Sequence, residues 1–238
     1  MLRNNRAVTF SSKSDVSLQD KLDLITQNTR RLVQAERLAV SEEAVSDLFA
    51  TGIEQRVLRV GDLAPAFLLD DVRTGKPVYS ADLLALGPVV VKFFRGRWCP
   101  YCVTELETWR ELQSELRRLG GLFVAISPQT VRQNAFMSEQ HALEFPLLAD
   151  PGAKVAAEFG LTYTLTAEQR RYYQSILVNI PFNNAGLSYH NATEASWTLP
   201  LPGTFVIGRD GRIKFAEAYA DFRVRPEPVD VLTGLDDL

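Results

Sequence analysis

Cys99-Pro100-Tyr101-Cys102 holds the only two cysteines among 238 residues. With two residues between them, both sulfurs can reach each other and cycle between a dithiol and a small disulfide ring. A thiolate is the reactive form of cysteine, and a helix N-terminus or a neighbouring cation favours it. The apolar run Val89-Val90-Val91-Lys92-Phe93-Phe94 precedes the pair and a helix-like run, Val103 to Leu119, follows it. The cysteines therefore sit at a strand-to-helix junction, the setting of a dithiol redox centre. Arg95 and Arg97 are the nearest cations in sequence, with solvation of a loop as their alternative reading. Trp98 and Tyr101 flank the sulfurs, either to shape a groove for an organic or peptide substrate or to shield the disulfide. Glu105 reads as a first-turn helix residue.

The composition is that of an ordinary globular protein: 46% hydrophobic, 23% charged, formal net charge −3. No basic footprint for nucleic acid appears, and no apolar run approaches the length of a membrane span. Met1 to Arg6 lack the apolar stretch of a signal peptide. Cytoplasmic residence is the resulting expectation, and there a purely structural disulfide is disfavoured. A structural zinc needs about four ligands. The two histidines, His141 and His190, lie far apart and read as surface or loop residues. No metal is expected. No phosphate-binding glycine loop and no flavin or nicotinamide fingerprint occurs, so no cofactor is expected.

Several elements must position the pair. Residues 17–50 read as helical, with Leu18, Leu22, Ile25, Leu32 and Val33 at helical spacing and a second helix start at Ser41-Glu42-Glu43. They form a helical arm over residues 1–57, followed by one domain over residues 58–238. Strands are expected at 66–70, 77–79, 88–94, 122–127 and 145–149, with a short helix from Ser80 to Leu86. Helices are expected over 129–143, 152–159 and 166–179, with Thr166 as cap. Residues 181–196 read as irregular. A hairpin, 204–207 with 212–219, turns at Asp210-Gly211, and a terminal helix lies within 226–238. This order predicts an α/β fold with a mixed sheet covered by helices.

The chain resembles the thioredoxin-fold peroxiredoxin-like proteins, the alkyl hydroperoxide reductase and thiol-specific antioxidant family. The resemblance rests on Val60-Gly61-Asp62-Leu63-Ala64-Pro65-Ala66-Phe67, the segment Phe93 to Cys102, Phe145-Pro146-Leu147-Leu148-Ala149-Asp150, and Pro202-Gly203-Thr204-Phe205-Val206-Ile207. It implies a thioredoxin-like mixed sheet with an N-terminal helical extension. Laid on the family's P-x-x-x-T-x-x-C, Cys102 takes the place of the peroxide-attacking cysteine. Cys99 takes that of the threonine and Arg95 that of the proline. The family's later arginine falls on Pro202, where thioredoxins keep a cis-proline facing the disulfide, so Leu201-Pro202 is expected to be cis, with Thr204 beside it.

The resemblance implies a thiol-dependent peroxidase. A hydroperoxide oxidises one cysteine to a sulfenic acid, the other condenses with it to a disulfide, and an external dithiol such as thioredoxin restores the pair. The alternatives are a thioredoxin-type disulfide oxidoreductase, in which one thiolate attacks a substrate disulfide and the other resolves it, and a non-enzymatic redox sensor. The peroxiredoxin alignment makes Cys102 the leading sulfur, so that Cys102→Ser abolishes peroxide consumption. The thioredoxin analogy makes it Cys99. The resemblance also implies a homodimer, with the N-terminal helices at its interface.

Overall fold

The computed structural model describes residues 16–235; the expectations for residues 1–15 and 236–238 lie outside it. Ser17 starts the first helix, α1 (Leu18–Leu32), with a reciprocal cap: its hydroxyl accepts from the Asp20 N–H while the Asp20 carboxylate accepts from the Ser17 N–H. Leu18 and Leu22 enter the core. The backbone is extended at Val33 and Gln34 before α2 (Ala35–Ala50), which ends at Gly52 in the left-handed region, φ 68°. The helix start expected at Ser41 is therefore corrected, because Ser41 lies inside α2. Glu42 is used instead to pair with Arg223 at 2.7 Å and Arg30 at 3.2 Å. No residue of α2 is fully buried.

Strands β1 (Leu68–Asp70) and β2 (Pro77–Tyr79) pair antiparallel. In α3 (Ser80–Leu86), Ser80 is the first helical residue rather than the cap, and its hydroxyl accepts from the Phe67 N–H. Strand β3 (Val89–Phe93) is buried throughout. The single helix expected after the cysteines is two, α4 (Pro100–Glu111) and α5 (Gln113–Arg118), broken at Leu112. The first begins at Pro100 because proline's missing N–H has no partner to lose there. Next come β4 (Leu122–Ser127), α6 (Val131–Gln140), β5 (Leu147–Ala149) and α7 (Lys154–Glu158).

Strand β6 (Thr162–Thr164) was not expected, nor was its antiparallel partner β7 (Thr198–Pro200). Between them lie α8 (Ala167–Ser175), which Thr166 caps as expected, and α9 (Ile180–Ala185). The latter forms where an irregular stretch was expected, because the Asn179 side chain accepts from the Phe182 N–H and Pro181 sits in the first turn. Strands β8 (Gly203–Ile207) and β9 (Ile213–Ala218) form the hairpin, and α10 (Pro228–Thr233) follows.

The main sheet runs β5-β4-β3-β8-β9, with β3 parallel to β4, β4 parallel to β5, and β8 antiparallel to both β3 and β9. Side chains alternate across a strand. Val90 and Phe94 thus join Leu18, Leu22, Leu106 and Trp109 on one face, while Val89, Val91 and Phe93 join Phe159 and Phe205 on the other. This is the mixed sheet flanked by helices that the sequence predicts.

The expected cis bond is absent: among the described residues no peptide bond is cis, so Leu201-Pro202 is trans. The chain runs from β7 into β8 with the Leu201 N–H bonded to the Leu161 carbonyl at 2.8 Å, which suits the extended backbone preferred before proline.

Candidate active site

Cys99 is the N-cap residue of α4 and Pro100 the first helical residue, which places the sulfur at the helix's positive end. Arg95 Nη2 donates to Cys99 Sγ at 3.1 Å, and both residues are buried. The guanidinium is held on several sides. Nη1 donates to the Tyr173 hydroxyl at 3.3 Å, the Phe222 ring lies 3.8 Å from the charge, and the Trp98 ring lies 5.1 Å from it. The loop needs glycine at position 96: with φ at +156°, an added Cβ would lie 2.5 Å from Trp98 Nε1.

Cys102 lies in the first turn of the same helix, also buried, with Arg225 Nη2 at 3.9 Å from its sulfur. A buried charge cluster underlies it. Lys92 lies opposite Thr204 in the β3–β8 register and on the sheet face that α4 covers. Its ammonium donates to Thr204 Oγ1 at 3.0 Å and pairs with Glu105 Oε1 at 2.6 Å, while Arg225 Nε donates to Glu105 Oε2 at 2.8 Å. One carboxylate thus serves two cations. Desolvation holds the Lys92 ammonium below the ordinary lysine range, against the pull of Glu105.

The two thiols are driven apart. Burial pushes Cys99 up, but the hydrogen bond from Cys102 and the charge of Arg95 outweigh it and hold Cys99 well below the ordinary cysteine range. Burial, the hydrogen bond given to Cys99 and repulsion by its thiolate push Cys102 well above that range.

Of the residues singled out from sequence, Cys99, Cys102, Arg95, Trp98, Pro100 and Tyr101 come together. The Tyr101 hydroxyl meets Thr26 of α1 at 3.1 Å and its ring packs on Phe222. Thr204 belongs to the charge cluster through Lys92 rather than to a site beside a cis-proline. Arg97 points away from the sulfurs, exposed, with Nη1 on Gln133 at 3.4 Å and its charge near the Phe136 ring. Pro202 is buried and is not part of the cavity wall at Cys99. His141 meets Glu107 at 3.0 Å, and His190 is exposed. Sequence reasoning missed Lys92, Glu105, Tyr173, Phe222 and Arg225. A lysine within a fully buried strand was the available signal for the first. Glu105, three residues after Cys102, falls on the buried helix face.

Residues 60–216 match the model of the AhpC/TSA family. The chain belongs to this family. Its AhpC/TSA core carries the sulfurs, Lys92, Arg95, Glu105 and Thr204, whereas α1, α2, Phe222 and Arg225 lie outside the matched stretch. Rv1608c of Mycobacterium tuberculosis (strain ATCC 25618 / H37Rv) is 36% identical over 104 residues, which are 44% of this chain and 67% of that protein. Peroxiredoxin Bcp of Escherichia coli (strain K12) is 30% identical over 104 residues, 44% of this chain and 65% of that protein. The crystal structure of peroxidoxin BcpB from Mycobacterium tuberculosis superposes with a TM-score of 0.57 at 25% identity, covering 76% of this chain and 98% of that one. The fold is thioredoxin-like, and this AhpC/TSA protein is a thiol-dependent peroxidase, an oxidoreductase of peroxiredoxin type. Among the described residues, no helix is long and apolar enough to cross a membrane.

Proposed function

We propose that Cys99 attacks the hydroperoxide and Cys102 resolves the product, the reverse of the order taken from the motif alignment. The observation that carries this is the Arg95 guanidinium 3.1 Å from Cys99 Sγ. The Cys99 thiolate attacks the terminal oxygen of the hydroperoxide and the O–O bond breaks. The electron pair leaves with the second oxygen, which takes a proton to become water or an alcohol, and Cys99 is left as a sulfenic acid. Cys102 then attacks the Cys99 sulfur, the S–S bond forms, and hydroxide leaves as water with the Cys102 proton. An external dithiol such as thioredoxin supplies two electrons and two protons to restore the pair. Lys92 and Arg225, held in place by Glu105, stabilise the charge that develops on Cys102 as it loses its proton.

Replacing each cysteine by serine tests the order. Cys99→Ser is expected to abolish peroxide consumption. Cys102→Ser is expected to keep the first oxidation and accumulate a sulfenic acid, detected by a carbon-acid trapping reagent and mass spectrometry. A trapped sulfenic acid on Cys102 in Cys99→Ser would overturn the assignment. Turnover on an insulin-like disulfide without peroxide oxidation would favour the disulfide oxidoreductase instead.

The same reading takes residues 1–57 as an arm on a domain of residues 58–238. It places the enzyme in the cytoplasm, where a cycling disulfide is kept reduced. It also pairs two copies through the arm, where Leu24, Leu32 and Phe49 are exposed. Light scattering of the wild type and of Leu32→Asp/Phe49→Asp tests the dimer.

A further inference from the structure

Peroxide reduction at Cys99 needs a proton that the two sulfurs do not supply. When the thiolate takes the terminal oxygen, the second oxygen leaves as hydroxide or alkoxide. Either is a strong base, since water itself has a pKa of about 15.7. Cys99 has already given up its proton, and Cys102 spends its own on the hydroxide released when the disulfide closes. The proton for the first leaving group comes from another acid.

Above Cys99 lies a cavity of about 270 Å³, and several polar groups on its wall are already committed. The Tyr101 and Thr26 hydroxyls meet each other at 3.1 Å, and Thr29 donates to the Ile25 carbonyl at 2.8 Å. Hydrogen bonds from Arg223 and Arg30 hold the Glu42 carboxyl below the usual range, so it has no proton to give at neutral pH. Tyr173 differs. Its oxygen accepts from Arg95 Nη1 at 3.3 Å, and among the described residues no acceptor takes the phenol's own proton. Its ring is held edge-on by Trp98 at 5.2 Å and Tyr172 at 5.5 Å. Because Arg95 Nη2 donates to Cys99 Sγ at 3.1 Å, one planar guanidinium spans from the sulfur to the phenol. A hydroperoxide lying along that plane, its terminal oxygen about 3–3.5 Å from the sulfur, brings its second oxygen toward the Tyr173 hydroxyl.

Charge balance points the same way. Arg95 Nη1 is on Tyr173, Nη2 is on Cys99 and Nε has no partner, so among the described residues no carboxylate neutralises this buried cation. Its counter-ion is the Cys99 thiolate, which the reaction consumes. A phenolate formed at Tyr173 replaces it on the same guanidinium. Burial pushes the Tyr173 phenol well above the ordinary tyrosine range, against the pull of Arg95, so it keeps its proton until a stronger base forms beside it.

We propose that Tyr173 is a further catalytic residue, the general acid that protonates the oxygen leaving from Cys99. The assignment rests on the peroxidase reading with Cys99 as nucleophile. The S–O bond forms, the O–O bond breaks, and its electron pair goes to the second oxygen, which takes the phenol proton and departs as water or an alcohol. Cys99 is left as a sulfenic acid, and the Tyr173 phenolate regains a proton from water.

Stopped-flow oxidation of the reduced full-length protein by hydrogen peroxide and by peracetic acid tests this. Peracetic acid releases a carboxylate, which leaves without a proton at neutral pH. Tyr173→Phe is expected to slow oxidation by hydrogen peroxide about 100-fold, the lower range for loss of a general acid. The peracetic acid rate is expected to stay within about threefold of wild type, a small fraction of that loss. The alkylation midpoint of Cys99 is expected to stay in place, and Tyr172→Phe to behave as wild type with both oxidants. In the wild type, heavy water is expected to slow the hydrogen peroxide reaction and not the peracetic acid reaction, measured above the Cys99 midpoint. An unchanged hydrogen peroxide rate in Tyr173→Phe would overturn the proposal alone. Equal losses with both oxidants and a raised midpoint would also overturn it, since Tyr173 would then only position Arg95. Oxidation of the wild type by neither reagent faster than an ordinary thiol would overturn the peroxidase reading and the proposal with it.

Discussion

Replacing Arg95 with methionine keeps much of the side-chain volume and removes the cation from Cys99. A hydrogen bond to a charged group in a buried setting contributes about 1.5–3 kcal/mol. At about 1.4 kcal/mol per pKa unit, its loss raises the Cys99 thiol by about one to two units. The bare attraction at 3.1 Å is about 5 kcal/mol with an effective dielectric near 20, so this loss is within reach of the geometry. The remainder is offset by the desolvation of the guanidinium itself. Only the thiolate attacks, so peroxide oxidation falls as pH drops through the Cys99 pKa. In Arg95→Met that midpoint moves up, the rate below both midpoints falls about 10- to 100-fold, and the two proteins converge at alkaline pH. The assay is the pH dependence of alkylation by a small thiol reagent, read beside the thiolate's ultraviolet absorbance, in a Cys102→Ser background. A midpoint that stays in place, or moves down, would refute the electrostatic argument for Cys99.

Glu105→Gln leaves Lys92 and Arg225 buried without their shared carboxylate, and is expected to cost about 3–5 kcal/mol of unfolding free energy in urea. A cost below about 1 kcal/mol would mean that the cluster is not neutralised through Glu105. Glu42→Gln removes the partner of Arg30 and one of the two carboxylates on Arg223, which keeps Asp221, a half-exposed arrangement at α2 of about 0.5–1 kcal/mol. The fraction of molecules with α2 undocked should rise two- to fivefold, seen as faster alkylation of Cys99, and high salt should mimic it in the wild type. No change under either condition would place the controlling contact elsewhere.

The strand-to-helix junction was legible because its signals are local: a β-branched run, a proline at the helix start, and two thiols at fixed spacing. The charge cluster was only half legible. Lys92 interrupts an otherwise apolar strand, and Cys102, Glu105, Leu106 and Trp109 share one helical face, so both polar residues had to point inward. Arg225 and Phe222 had no comparable mark, since they reach the site from more than a hundred residues away in sequence and only tertiary folding brings them there. Strands β6 and β7 escaped because they pair only with each other, with α8 and α9 between them and no local turn signal to join them. The cis-proline expectation came from analogy with a different active site; here the Leu201 N–H is committed to Leu161 and the chain stays extended. Ser41-Glu42-Glu43 has the composition of a helix start, yet the helix had begun a turn and more earlier, at Ala35.

Both sulfurs have no exposed surface, whereas α2 above them buries no residue of its own. A small oxidant fits the cavity with the helix in place. A protein dithiol must bring its own sulfur into bonding range of Cys99, and the expected route is undocking of α2, which lines the cavity with Leu38, Ser41 and Glu42 and buries no residue fully. Oxidation and regeneration then run on separate clocks, the first set by the affinity of the cavity and the second by the undocking of a helix. An enzyme built this way is expected to stay oxidised after the peroxide has gone, and for that interval to carry a record of the exposure.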